Sequence, residues 1–232
     1  MSEHTYCQKC GTPMLVEGEL CAQCRENQEE EEEECGMIDQ KHKGEAIYIV
    51  GGGASLKGFD FATLTGKIVI ACNRAIEYVD AQYMVYMDDQ FYDWHEDQVE
   101  SFDGEIFTHS WNKYRNKVRF AKNLGALGLS DSFDDGLFHG GNAAYLALNL
   151  AYVMGADPIF LLGVDMCYHD GATHFHEGYD REDSVGEKRF IHMIKSFNYG
   201  SEILKERGVT VFNCSDISKL KCFPALPKGA SL

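Results

Sequence analysis

No run of about 18 consecutive apolar residues occurs in the 232-residue chain, so no membrane-spanning helix is expected. The polar start Met1-Ser2-Glu3-His4-Thr5-Tyr6 lacks the basic-then-apolar pattern of a secretory signal, and a cytoplasmic location is expected. Basic residues are scarce. Lysine and arginine total 21 against 37 acidic residues, a formal charge of −16. Such a chain is a poor general ligand for nucleic acid, whose phosphates would repel it. No serine or cysteine nucleophile triad is evident either. The acidity is uneven: residues 1–45 hold 12 acidic and 4 basic groups, which is half of the net charge in a fifth of the length.

What is present falls into three segments: a cysteine-rich module at 1–25, an acidic linker at 26–45 and an α/β domain at 46–232. Five of the nine cysteines lie in the first 35 residues. Without a secretory context, an odd and clustered count points to metal ligation rather than to a disulfide framework. Cys7-Gln8-Lys9-Cys10 and Cys21-Ala22-Gln23-Cys24 are two Cys-x-x-Cys knuckles, and each can aim two thiolates at one tetrahedral ion. This pattern resembles a zinc ribbon, with Cys7, Cys10, Cys21 and Cys24 as ligands of a structural zinc. About 25 residues cannot build a core, so the metal would supply the folding energy. The module has no basic or aromatic cluster, which favours docking to a protein partner over reading DNA. Cys35 is left as a spare thiol. The run Glu29–Glu34 repels itself and reads as a solvated spacer.

From Ala46 onward short apolar runs recur: 46–50, 67–71, 83–87, 105–108, 158–163 and 209–212. They are apolar on both parities, as expected of strands covered on two faces. Helical stretches at 142–154, apolar nearly all round, and 187–207, closed by Gly208, separate some of them. The expected fold is α/β: a Rossmann-like, mostly parallel sheet flanked by helices. In such sheets ligands bind beyond the carboxyl ends of the strands, so the residues after each strand are the candidates.

Gly51-Gly52-Gly53-Ala54-Ser55-Leu56 follows the first strand, and its glycines permit close backbone approach to a phosphate or simply a tight turn. Asn73-Arg74 follows the second, fitting contact with a nucleoside and a phosphate, or a helix cap. Asp88-Asp89 follows the third, fitting a hydrated divalent ion or an N-cap. Gly140-Gly141-Asn142 feeds a buried helix whose N-terminus offers amides to an anion. Asp165 follows the fifth run, where a ribose diol or a metal could be held. The loop 169–186 carries His169, His174 and His176 and reads as a lid that supplies a general base.

Taken in order, Gly140-Gly141-Asn142-Ala143-Ala144, Met154-Gly155-Ala156-Asp157-Pro158-Ile159-Phe160-Leu161-Leu162-Gly163-Val164-Asp165-Met166 and Asp170-Gly171-Ala172-Thr173-His174 resemble the core of the MptE-like family. That family contains hydroxymethyl-dihydropterin pyrophosphokinases and the Maf glycosyltransferases, and it is similar in fold to bacterial lipooligosaccharide sialyltransferases. The sialyltransferase loop Gly-x-Gly-Pro-Ser-Leu is matched by Gly51–Leu56, with Gly52 in place of its Asn and Ala54 in place of its Pro; its Cys-Asn is matched by Cys72-Asn73 and its Gly-x-Asp by Gly163-Val164-Asp165. The resemblance covers about residues 46–215. It implies a transferase with a nucleotide-sugar donor, such as a CMP-sugar, and an acceptor the sequence does not name. Gly51, Gly52, Gly53, Ser55, Asn73, Asp88, Gly141, Asn142 and Asp165 would hold the donor. His174, by the MptE-like pattern, or His192, by the sialyltransferase pattern, would be the base. Two alternatives remain: an ATP-dependent pyrophosphokinase with Mg²⁺ on Asp88 and Asp89, and a non-catalytic nucleotide-binding adaptor docking through its ribbon.

Overall fold

The computed structural model describes residues 38–109, 118–169, 174–176, 187–227 and 232, together with the backbone of 5–6 and 13–14. The chain divides into two compact units, Met1–Asp39 and Gln40–Leu232. In the first, β1 (Thr5–Tyr6) pairs antiparallel with β2 (Pro13–Met14). The four cysteines expected to hold zinc lie outside the described residues, as does the glutamate run.

The second unit is built on seven strands: β3 (Ile47–Val50), β4 (Ile68–Cys72), β5 (Tyr83–Tyr86), β6 (Glu105–Thr108), β7 (Val118–Phe120), β8 (Ile159–Leu162) and β9 (Val211–Asn213). Their order is β7-β6-β5-β4-β3-β8-β9, and every neighbouring pair is parallel. The chain winds outward from β3 to β7, then returns to place β8 on the other side of β3. The order therefore reverses between β3 and β8, which opens a crevice at their carboxyl ends. All six apolar runs are strands. The seventh, β7, has no apolar run, because an edge strand of three half-exposed residues needs little hydrophobic patterning.

Side chains alternate across the sheet. Tyr48, Val50, Val69, Ala71, Phe160 and Leu162 face one core layer, with Tyr48 stacked on Phe160 at 4.7 Å between ring centroids. Short 3₁₀ turns, Ala54–Leu56, Phe61–Leu64 and Asn73–Glu77, cover this side, so the crossovers from β3 to β5 contain no full helix. Two short helices, α1 (Asp89–Trp94) and α2 (Glu96–Ser101), precede β6. Helix α3 (Ala143–Val153) packs across β3, β4 and β5, and helix α4 (Glu187–Glu206) precedes β9. No helix among the described residues is long and apolar enough to cross a membrane.

Two features fix α3. At its carboxyl end, the Val153 and Met154 carbonyls accept from the amides of Gln40 and His42 at 2.8 and 2.7 Å. These acceptors are left open by any helix end. Residues 40–45 thus belong to the α/β unit, although they read as the end of a solvated linker; backbone pairing there needs no apolar side chains. Midway along α3, Asn149 is fully buried, accepts from the amides of Ser130 and Phe138, and donates to the Ser130 carbonyl. It holds the 130–138 loop, which leads directly into the His139-Gly140-Gly141 turn. Asn149→Ala would leave two buried amides without an acceptor and should cost roughly 3 kcal/mol of unfolding free energy. Urea denaturation measures this, and a loss below about 1 kcal/mol would show that the loop is held by other contacts.

Candidate functional site

A cavity of about 450 Å³ lies at the carboxyl edge of the sheet. Loops from β3, β4, β5 and β8, the N-terminus of α3 and one face of α4 line it. Among the candidates read from the sequence, Gly51, Gly52, Gly53, Asn73, Asp88, Gly141, Asn142 and Asp165 all face it, as does His174. Segments more than 100 residues apart in the chain therefore share one rim.

The β3 and β8 loops touch. Gly51 N donates to the Leu162 carbonyl and Gly53 N to the Gly163 carbonyl, each at 2.8 Å. A Cβ on Gly51 would stand 2.5 Å from the Gly163 oxygen, and one on Gly53 would stand 2.5 Å from Asp165 Oδ2. The glycines are required by this loop-on-loop approach before any ligand is considered. Asp165, only 3 % exposed, accepts from the Ser55 amide at 2.8 Å on Oδ2 and from the Ser55 hydroxyl at 2.6 Å on Oδ1. Ser55 does not line the cavity; it ties down Asp165.

Asn73 and Met166 line the cavity with φ of 51°, in the left-handed region. Such conformations cost energy in non-glycine residues and concentrate at functional sites. Arg74 lies off the cavity lining and forms a two-pronged ion pair with Glu77 at 2.8 Å, which holds the Glu77 carboxyl below its ordinary range. Asp88 occupies the N-cap position of α1 without making a side-chain cap bond. Asn142 does cap α3: its Oδ1 accepts from the Tyr145 amide at 2.9 Å. Ala143 and Ala144, whose amides have no acceptor within the helix, are lining residues, and the positive end of the helix dipole meets the cavity there.

The two candidate bases part company. His174 lines the cavity beside Gly52, and burial, followed by the nearby His176 and Arg74, pushes its imidazole down to about 4. His192 is exposed and does not line the cavity. From the same helix Arg189, Phe190 and Met193 do line it; His192 is turned about 100° from Met193 by the helical period. Sequence reading also passed over His139, which lines the cavity just before the Gly140-Gly141 turn. A histidine three residues ahead of a glycine-preceded helix cap was the available signal. No group of three or more His, Cys, Asp or Glu side chains among the described residues is arranged to hold a metal.

No protein-family model and no curated protein sequence matches the chain. Among solved structures, it is similar to the sialyltransferase CstII of Campylobacter jejuni in complex with cytidine-5'-monophosphate, at 15% identity and a TM-score of 0.52, covering 79% of this chain and 85% of that one. A second CstII structure, with CMP-3FNeuAc, aligns at 14% identity and a TM-score of 0.50 over 81% and 88% of the two chains. The Maf glycosyltransferase of Magnetospirillum magneticum aligns at 15% identity and a TM-score of 0.52, covering 80% of this chain and 34% of that one, so the present chain spans about a third of its length. At these identities the shared property is the fold.

The depressed basicity of His174 has a measurable consequence. Its imidazole resists protonation when folded, whereas the unfolded chain takes up the proton near pH 6.5. Any stability linked to neutral His174 is therefore present above about pH 6.5 and is lost as pH falls toward 4. Denaturation of wild type and His174→Gln across that window should show the wild type losing stability faster. Parallel curves would show that His174 titrates as an exposed histidine.

Proposed function

We propose that the protein is a glycosyltransferase that uses a nucleotide-sugar donor, with a CMP-linked sugar favoured. The observation that carries this reading is the convergence of four strand-end loops and one helix N-terminus on a single cavity at the point where the strand order reverses. Support comes from likeness in fold to sialyltransferases crystallised with CMP and CMP-3FNeuAc, and to a Maf glycosyltransferase.

In this reading the donor phosphate sits against the α3 N-terminus, where backbone amides stabilise the charge that develops as the nucleotide departs. The nucleoside lies in the crevice beside Gly51–Gly53 and Asn73. Asp165 acts through Ser55, holding the two loops at the spacing the donor needs. His174, neutral at physiological pH, accepts the proton of the attacking acceptor hydroxyl. A base with so low an affinity for protons is weak in the free enzyme; the negative charge of a bound donor raises it toward a useful range. The acceptor is left unassigned.

The pyrophosphokinase reading draws on one observation, the Asp88 carboxylate lining the cavity without a capping role. It requires Mg²⁺; the side chain of Asp89, the other ligand expected for that ion, lies outside the described residues, and Asp165 is already bound by Ser55. Membership of the MptE-like family, rather than a likeness in fold alone, belongs with this proposal. An adaptor would bind nucleotide without turnover. A thermal-shift panel of CMP, UDP, GDP, ATP and their sugar conjugates, with and without Mg²⁺, separates these readings. CMP or a CMP-sugar should raise the melting temperature without Mg²⁺, and His174→Gln should lower kcat at least 100-fold while leaving the donor shift intact. Stabilisation by ATP alone, and only with Mg²⁺, would overturn the glycosyltransferase reading.

For the first unit we propose a zinc ribbon at 1–25, held by Cys7, Cys10, Cys21 and Cys24, joined by an acidic linker to the catalytic domain and available to a protein partner. The antiparallel strands Thr5–Tyr6 and Pro13–Met14 bracket the first knuckle, as a ribbon hairpin would. Elemental analysis of the purified protein should give one zinc per chain, reduced to background in Cys7→Ser/Cys10→Ser. Full zinc content in that variant would place the metal elsewhere.

A further inference from the structure

His139 sits at the end of the loop that Asn149 holds, immediately before two glycines in left-handed conformation, Gly140 at φ 58° and Gly141 at φ 79°. These glycines fold the chain back sharply. The Gly141 amide consequently donates 3.0 Å to His139 Nδ1. An amide cannot donate to a protonated nitrogen, so Nδ1 carries the lone pair and the ring proton resides on Nε2. Burial lowers the basicity of this imidazole, which agrees with a neutral ring whose second proton would displace the Gly141 amide.

The Nε2 proton is not used by the neighbouring His109 ring. His109 lies 5.7 Å away between centroids, at 73°. Its Nδ1 donates to the Ala121 carbonyl at 2.6 Å, which leaves His109 Nε2 as an acceptor, buried and without a hydrogen-bond partner. A bond from His139 to that atom would have satisfied it. His139 itself lines the cavity, next to Gly141 and to the first turn of α3.

We propose that His139 is a donor-binding residue, presenting a neutral Nε2–H to a phosphate oxygen of the nucleotide at the α3 N-terminus. This rests on the nucleotide-donor reading above. The tautomer is set by the fold, through the Gly140-Gly141 turn, so the proton is already in place when the donor arrives. Such a contact adds a directional donor to helix amides that are otherwise fixed along the helix axis. It adds no positive charge, so this contact does not oppose release of the nucleotide with an ion pair of its own.

Two substitutions divide the imidazole between its two edges. In His139→Asn the side-chain oxygen can replace Nδ1 as acceptor for Gly141, but nothing replaces the Nε2–H. In His139→Gln the terminal amide nitrogen can replace the Nε2–H, but nothing accepts from Gly141. Affinities of wild type and both variants for CMP and for cytidine, which lacks the phosphate, would be measured by calorimetry. Cytidine reports whether the crevice survives each substitution. The expected result is CMP binding weakened about tenfold or more in the Asn variant, nearly retained in the Gln variant, and cytidine binding unchanged in both. The reverse order of the two variants, or a parallel loss of CMP and cytidine, would reduce His139 to a support for the turn and overturn the inference. Equal CMP binding by all three proteins would also overturn it while leaving the donor reading standing. If wild type fails to bind CMP, that donor reading falls, and titration with inorganic phosphate decides the remainder: weaker phosphate binding in the Asn variant alone upholds the contact, and no difference removes it.

Discussion

The α/β unit depends on a contact between two loops that leave neighbouring strands in the same direction. β3 and β8 are adjacent and parallel, yet 112 positions separate Ile47↔Ile159, Tyr48↔Phe160 and the rest of their register, because the chain builds half the sheet before returning. Beyond the last paired residues the loops remain in contact through Gly51, Gly53, Gly163 and the Asp165–Ser55 bonds. A carboxylate removed from water is costly unless donors replace its hydration. Ser55 supplies two. On the opposite side the Asp165 carbonyl accepts from the Lys219 amide at 2.8 Å, and Ser218 donates to the Val164 carbonyl at 2.9 Å. The β8 loop is therefore held from both flanks, and the crevice has a fixed wall.

The electrostatics of the cavity follow from burial. His139 and His174 are both pushed toward the neutral form, mainly by loss of solvent. Arg74, the nearest arginine to the β4 end, is turned to Glu77 and off the lining. Asp88 and Asp165 contribute negative charge, and Arg189 is the lysine or arginine on the lining among the described residues. Besides Arg189, the described residues offer an anion there the N-terminal end of α3 and the N–H groups of uncharged rings. Such donors are preorganised and lose little to salt screening compared with exposed charges.

Much of this was legible in the sequence, for a physical reason. Strands covered on both faces must be apolar at successive positions, and Ile47–Val50, Ile68–Ala71 and Ile159–Leu162 announce themselves. A parallel sheet then places all strand ends on one edge, so Gly53, Asn73, Asn142 and Asp165 could be gathered without coordinates. Edge and surface information was not legible. β7 is too short and too exposed to carry a pattern. The direction in which a helix presents its residues depends on its rotation against the sheet, and that is set by packing rather than by periodicity alone: His192 faces outward while Arg189 and Met193 face the cavity. Ser55 read as a ligand residue because a hydroxyl after a glycine run suits phosphate; its actual partner is 110 residues away.

Helix α3 joins stability to function. Ten of its eleven residues are buried, which makes it a central part of the core. A helix so enclosed has no freedom to shift along its axis, because Gln40 and His42 engage its last carbonyls and Asn142 engages its first turn. The same constraint fixes the position of its N-terminal amides relative to the β3 and β8 loops. Asn149 extends the effect to the loop before the helix, holding the Phe138 amide one residue ahead of His139. An anion at the mouth of α3 would thus be met by donors whose placement is determined by core packing. Under the proposed reaction, this arrangement would keep reorganisation small as charge develops on the leaving phosphate, since the dipoles that would stabilise it are held by the core.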